Sequence, residues 1–169
     1  MEQCVFERKL VLCPRLGEMS YDELIIECPD CGEFVLYCCS CSNRYRRLSK
    51  PCHHFPIVFT DGACLENGRP DARAGAGVVV GSSDDDQLSA PITDEDDPFP
   101  LRSNQRAELY AARLGLEYMA QLHAAAVTRT GRRRQDPNWI IATDSEYVVK
   151  GMTEWLPAWR VCNHPRSLF

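Results

Sequence analysis

The sequence predicts an α/β domain on a mixed sheet, three antiparallel strands and then a parallel strand after a crossover helix, preceded by a small Cys-rich, zinc-ribbon-like segment. Three observations predict it. Two apolar runs, at 57–59 and 139–142, each lead into Thr-Asp and a small residue. Between them, Ser103-Asn104-Gln105-Arg106-Ala107-Glu108-Leu109 opens a long helical pattern. Eight of the ten cysteines fall within residues 1–56. A strand–helix–strand crossover makes the two apolar runs parallel, with a right-handed connection. The expected division is a Cys-rich segment over 1–55 and the sheet domain over 56–169.

A charged fraction of 25% and a hydrophobic fraction of 44% over 169 residues are those of a soluble globular protein. The sequence has no run of about 18 apolar residues, so no membrane partner is expected. In MEQCVFERKLVLCPRL, charges at Glu7, Arg8 and Lys9 interrupt any apolar core of a signal peptide. The expectation is an intracellular protein, nuclear or cytoplasmic, whose cysteines are reduced thiols or metal ligands. The net charge of −5 argues against a nucleic-acid partner only until it is divided along the chain. Residues 82–97 carry seven acids and no Lys or Arg, which leaves +2 for the remainder. Within that remainder Arg44, Arg46, Arg47 and Lys50 form one basic cluster and Arg129, Arg132, Arg133 and Arg134 another. Local patches set phosphate affinity more than the total does, although either cluster also reads as a solvated loop.

In the first segment, Leu24-Ile25-Ile26-Glu27 and Phe34-Val35-Leu36-Tyr37 read as short strands bordered by cysteines. The spacing Cys28-x2-Cys31-x6-Cys38-x2-Cys41 suits two turns that each aim a pair of thiolates at an ion. Four such ligands make a closed tetrahedral Zn²⁺ site. Cys39, Cys52, His53 and His54 compete as ligands, and merely buried thiols are the alternative. The histidine pair, at a domain junction, reads first as surface. Cys4 and Cys13 receive no role.

The sheet domain begins with a strand over 57–64. Asn67-Gly68 and Arg69-Pro70 supply turn chemistry. A second strand follows over 74–80, where Gly75 and Gly77 leave room for close backbone approach. The acidic stretch reads as a loop interrupted by a short edge strand over 87–92. Ser103 or Asn104 caps a helix that runs to about residue 127, with Ala112, Leu116, Met119, Ala120 and His123 on its buried face. Glu108, one turn in, shares the inward side. A strand over 139–143 and a helix bearing Tyr147, Val148, Met152 and Trp155, ended by Pro157, complete the pattern.

Parallel strands lie about 4.8 Å apart, so Asp61 and Asp144 at two strand exits come together with Glu108 above them. Three carboxylates with no Ser–His pair beside them suit hard divalent cations more than nucleophilic catalysis. Taken singly, Glu108 also reads as a solvated first-turn acid and Asp144 as a helix cap.

Phe59-Thr60-Asp61-Gly62-Ala63-Cys64, SNQRAEL at 103–109 and ATDSEYVVKG at 142–151, in this order and spacing, resemble the ribonuclease H family in its fungal variety. The resemblance runs from residue 57 to near residue 160. It implies the ribonuclease H fold, with Asp61, Glu108 and Asp144 binding two Mg²⁺ ions, Mn²⁺ serving in their place. The implied activity is hydrolysis of the RNA strand of RNA–DNA hybrids, leaving 5′-phosphate and 3′-hydroxyl ends. Asn104 and Gln105 would reach the minor groove, where 2′-hydroxyls distinguish RNA from DNA. The backbone of Gly62, Ala63 and Cys64 would contact the RNA strand.

The resemblance also implies a further strand and helix, a fourth metal-binding Asp and a mobile His. The chain instead reads Val161-Cys162-Asn163-His164-Pro165-Arg166-Ser167-Leu168-Phe169. His164 lies in no matching motif and is given no role. The expectation is a domain incomplete at its C-terminus, through truncation, an altered reading frame or an unspliced intron, with impaired activity. An unpaired edge beside the last strand would then favour self-association. A non-catalytic module that binds hybrid, and a protein-interaction element, stay open as other readings.

Overall fold

The computed structural model describes residues 10, 12, 14–39, 41, 51–99, 101–130, 138–156 and 158. In chain order it contains helices α1 (Pro14–Gly17) and α2 (Tyr21–Leu24), strands β1 (Ile25–Glu27) and β2 (Phe34–Leu36), then β3 (Ile57–Leu65) and β4 (Arg73–Val79). A 3-10 turn (Asp84–Asp86), β5 (Gln87–Ile92), helix α3 (Asn104–Thr130), β6 (Ile140–Ala142) and α4 (Glu146–Lys150) follow, the last running into a π turn over Gly151–Trp155. The main sheet has the order β5-β4-β3-β6. β5, β4 and β3 are antiparallel and β6 lies parallel to β3, the mixed topology expected. Pro91 is tolerated because β5 is an edge strand. No helix among the described residues is long and apolar enough to cross a membrane.

The alternation of β3 decides the layering. Val58, Thr60 and Gly62 are buried, whereas Asp61 and Ala63 are exposed. Val58, Val78, Val80 and Met119 form the core between the sheet and α3. Helix α3 comes unusually close to β3 because both supply glycine at the contact. A Cβ on Gly62 would stand 2.2 Å from the Ala107 carbonyl carbon, and one on Gly115 would stand 2.6 Å from Thr60 Cγ2. Gly75 and Gly77, expected to serve close approach, would instead meet ordinary contact distances.

The inward row of α3 is Ala107, Ala111, Gly115 and Met119, all buried. Of the five residues expected inward, Ala112 and Met119 are buried, Leu116 and His123 half-buried, and Ala120 exposed. The helix presents the row of small residues that lets backbones meet, and that turns Ala120 toward solvent. Ser103 provides the cap: the Arg106 N–H donates to its Oγ at 3.3 Å.

The opposite face of the sheet is covered by the Cys-rich segment. Leu16, Leu24, Leu36 and Ile57 form a second core, with Phe34, Phe59, Ile140 and Ala142 packed on it. Phe34 and Phe59 meet edge to face at 5.8 Å. The Phe34 N–H donates to the Val80 carbonyl at 2.6 Å and the Leu36 N–H to the Phe55 carbonyl at 2.8 Å. Two three-residue strands would not persist alone; here they are an added layer, and residues on both sides of position 55 share one core.

The acidic stretch is tied down. Arg106 pairs with Asp97, Arg102 with Asp94 at 2.6 Å, and the Tyr110 hydroxyl donates to Asp96 Oδ1 at 2.8 Å. The basic clusters at 44–50 and 129–134, Pro157 and the tail at 159–169 lie outside the described side chains.

Candidate active site and metal-binding groups

Parallel pairing sets the first half of the site. β3 and β6 pair Ile57 with Ile140, Val58 with Ile141 and Phe59 with Ala142. Continuing that register past the end of β6 brings Asp61 level with Asp144. Helix α3, which lies directly on Gly62, supplies Glu108 one turn in. Carboxylate oxygens of Asp61, Glu108 and Asp144 all lie within 4.8 Å of one another. Asp61 and Asp144 are exposed, while Glu108 is only 8% exposed.

Glu108 is held by one hydrogen bond, accepted at Oε2 from the Gly62 N–H at 3.2 Å. Burial pushes its carboxyl above the usual carboxylate range; the Gly62 bond acts the other way, and the charges of Asp61 and Asp144 add to the rise. A cluster that disfavours its own charge suits an arriving divalent cation, and oxygen donors suit a hard one. Asp144 is not needed as a helix cap, because Ser145 does that work by accepting from the Val148 N–H at 3.3 Å.

The other residues expected at the site are neighbours of this cluster. Gly62 is buried, Ala63 exposed and Cys64 half-buried. Asn104 Oδ1 accepts from the Cys64 N–H at 3.2 Å, joining the start of α3 to the end of β3. Gln105 is exposed one position on. An open groove of about 640 Å³ borders Asp61 on the face away from α3, floored by small residues such as Ala74, Gly75 and Gly77 and carrying Arg73 and Ser89 on its wall. Arg73 and Ser89 stand in no motif and were not legible as site residues.

The thiols sort differently from the spacing. Cys28, Cys31, Cys38 and Cys41 do not form one group; Cys38 and Cys41 meet Cys52 and His54, and Cys28 and Cys31 meet His53. The histidines are half-buried among thiols rather than surface residues. Cys52 and His54 are the ligands that spacing alone leaves in competition, because they reach the group only when the chain returns to β3. Burial, with the Glu33 and Cys28 charges, pushes the Cys31 thiol up to about 12 against a hydrogen bond from the Glu33 backbone. Burial and the thiols of Cys52 and Cys38 push Cys41 up to about 12. Burial would raise Cys38 too, but hydrogen bonds from the Cys41 backbone, His54, Cys41 and Cys52 bring it down to about 7. No described cysteine is in a disulfide, so both groups could hold a metal.

The RNase H family profile matches residues 54–168, beyond the point near residue 160 where the motif resemblance stops. The ribonuclease H of Schizosaccharomyces pombe is 33% identical over 119 residues, covering 70% of this chain and 37% of that protein. The ribonuclease H of Cyanothece sp. is 37% identical over 103 residues, 61% of this chain and 53% of its own length. Human ribonuclease H1 is 32% identical over 107 residues, 63% of this chain and 31% of the human protein. The chain therefore spans about a third to a half of the relatives it matches. A foamy viral protease–reverse transcriptase structure in complex with dsDNA has a TM-score of 0.42 and 21% identity, covering 63% of this chain and 58% of its own, too slight a likeness to add to that. With the mixed sheet, the three motifs and a profile match over most of its length, the chain belongs to the RNase H family.

Proposed function

We propose that the chain is an endonuclease that hydrolyses the RNA strand of RNA–DNA hybrids, with Asp61, Glu108 and Asp144 holding two Mg²⁺ ions. Mn²⁺ would serve in their place. The observation that carries the reading is the convergence of three carboxylates from three separate motifs, one of them buried and resisting its own charge. Bound there, a pair of divalent ions supplies charge stabilisation to both the attacking and the leaving oxygen of an in-line displacement. A water oxygen attacks phosphorus, the bond to the 3′ oxygen breaks, and 5′-phosphate and 3′-hydroxyl ends result.

The chain's own groups orient the substrate. The groove of small residues beside Asp61 lets a sugar–phosphate backbone come close. Asn104 braces the Cys64 backbone, and with Gln105 it stands at the helix start where 2′-hydroxyls of the hybrid can be read. In the Cys-rich segment the thiol and imidazole donors suit Zn²⁺ in a structural role.

The test is cleavage of an end-labelled RNA–DNA hybrid by the 169-residue chain in Mg²⁺, against Asp61→Asn and against excess EDTA. Loss of a group that merely orients a metal ligand costs about 10–100-fold, so Asp61→Asn is expected to cost more than about a hundredfold. The described residues assemble three carboxylates, one fewer than the resemblance implies, so slow cutting that vanishes in both controls still supports the reading. No cutting by a well-folded sample overturns it. Hybrid binding that survives Asp61→Asn would then mark a non-catalytic module.

A further inference from the structure

We propose that the segment from Cys28 to His54 holds two Zn²⁺ ions, one closed by Cys38, Cys41, Cys52 and His54 and the other held by Cys28, Cys31 and His53. The inference rests on a metal role for this segment and is independent of the nuclease reading.

Geometry carries it first. With Zn–S near 2.3 Å and Zn–N near 2.0–2.1 Å, a tetrahedral site has S···N edges of about 3.5 Å and S···S edges of about 3.8 Å. His54 Nδ1 lies 3.4 Å from Cys41 Sγ and 3.8 Å from Cys38 Sγ. His53 Nε2 lies 3.2 Å from Cys31 Sγ. Within each group every donor atom lies within 4.8 Å of every other, as ligands of one ion must. Cys39 stands outside both groups although it adjoins Cys38.

Connectivity carries it second. Each Cys-x2-Cys turn supplies two thiolates, and the returning run Cys52-His53-His54 divides between them. The Cys28 turn is closed by the Gly32 N–H donating to the Cys28 carbonyl at 2.8 Å, with Gly32 in the left-handed region at φ 77°. Glu33 Oε2 lies 3.7 Å from His53 Nε2 but does not join the three-donor group. On the other side the His54 carbonyl accepts from the Asn138 N–H at 2.9 Å, two residues before β6 begins. The four-ligand ion would thus fasten the hairpin to the sheet three residues before β3 begins.

Charge carries it third. Without an ion, three thiols and an imidazole crowd one pocket, and two thiols and an imidazole, with Glu33 beside the imidazole, crowd the other. A divalent cation at each offsets the thiolate charge.

The experiment is a zinc count per folded chain, with zinc X-ray absorption on the same sample. Two zinc ions are expected, sharing five sulfurs and two imidazole nitrogens between them. Cys52→Ser, His54→Asn and His53→Asn should each reduce the count to one, and Cys39→Ser should leave it at two. One zinc coordinated by four sulfurs and indifferent to His54→Asn would overturn the proposal in favour of a single Cys28/Cys31/Cys38/Cys41 site, and no zinc would overturn it outright. Should the ligand variants fail to fold, the count and sulfur-to-nitrogen ratio of the unmodified chain still decide. Hybrid cleavage on that sample is scored separately, so failure of the zinc proposal and failure of the nuclease reading are distinguishable.

Discussion

The carboxylate cluster and the thiol groups lie on the same strand's approach and exit, yet they are built on opposite principles. Asp61 stands in the middle of β3, Glu108 near the start of α3 and Asp144 just past β6, on elements that pack through other residues. Remove the cation and the sheet, the helix and the Gly62 contact remain. The thiol groups sit on short strands and turns that pack on the sheet through one small core, so the proposed ions would belong to the fold itself. On the proposed reading one site would place a cation for chemistry, and the other would use cations to place the chain.

The sharpest way to break this contrast is to remove each metal in turn. A zinc-selective chelator is expected to lower the melting temperature by roughly 10 °C or more, since structural zinc contributes several kcal/mol and each is about 2–4 °C in a chain of this size. Adding Mg²⁺ should not restore it. Removing Mg²⁺ alone should leave the melting temperature within a few degrees. Differential scanning calorimetry with the two treatments crossed would refute the contrast if the order were reversed.

Next in size is Gly62→Ala. The added methyl would fall inside the backbone of Ala107 and Glu108, and overpacking of this kind costs about 1–3 kcal/mol, at times more. The upper end is expected here, because the colliding atoms are main chain and cannot rotate away. Urea unfolding measures the loss. The Mg²⁺ affinity of the surviving folded fraction should fall as well, since the same shift moves Glu108. An effect under about 0.5 kcal/mol, the scale of an ordinary surface change, would show that the close approach is not required.

That glycine marks the limit of what the sequence discloses. The convergence of Asp61, Glu108 and Asp144 was legible because each lies in a recognisable pattern and parallel pairing brings the two strands' acids level. The edge strand at 87–92 was expected as an interruption of the acidic loop, and β5 lies there. Gly62 could be read as a substrate contact but not as the point where α3 touches β3, because that depends on the helix presenting Ala107 and Gly115 rather than Leu116 and Ala120. The thiol partition was hidden for a similar reason. Spacing identifies the two Cys-x2-Cys turns, while the remaining ligands arrive through a chain return that local spacing does not encode.

A smaller effect tests Glu108. Its carboxyl is raised, chiefly by burial, so in the metal-free protein its contribution to stability is fully present below the unfolded value near 4.5 and is lost as pH rises through the folded value. Glu108→Gln keeps an oxygen for the Gly62 N–H and removes the charge. Without Mg²⁺ the variant should melt higher than the parent above that range, and the gap should close as pH falls toward 4.5. Mg²⁺ affinity of the parent, followed by calorimetric titration, should rise over the same interval as the proton leaves. A variant less stable than the parent at neutral pH without metal would contradict the account.

The smallest expected change lies in the acidic stretch, which is bound to the helix that carries Glu108 yet belongs to neither metal site. Arg106, beside the Phe99 ring at 4.3 Å, holds Asp97 below the usual carboxylate range. Hydrogen bonds from Thr93, then from Tyr110, bring Asp96 down to about 2. Groups shifted this way contribute stability above their unfolded value of 3.8, and lose it as pH falls through the folded value. Asp97→Asn should therefore cost about 0.5–1 kcal/mol at neutral pH, the scale of a partly exposed ion pair, and progressively less as pH falls below 3.8. Because the pair clamps the loop to the first turn of α3 from outside, neither zinc content nor Mg²⁺ affinity should change. A drop in Mg²⁺ affinity would mean that Arg106 transmits loop order to Glu108, two residues further along the helix, and the line between groups that place a cation and groups that place the chain would run through that turn.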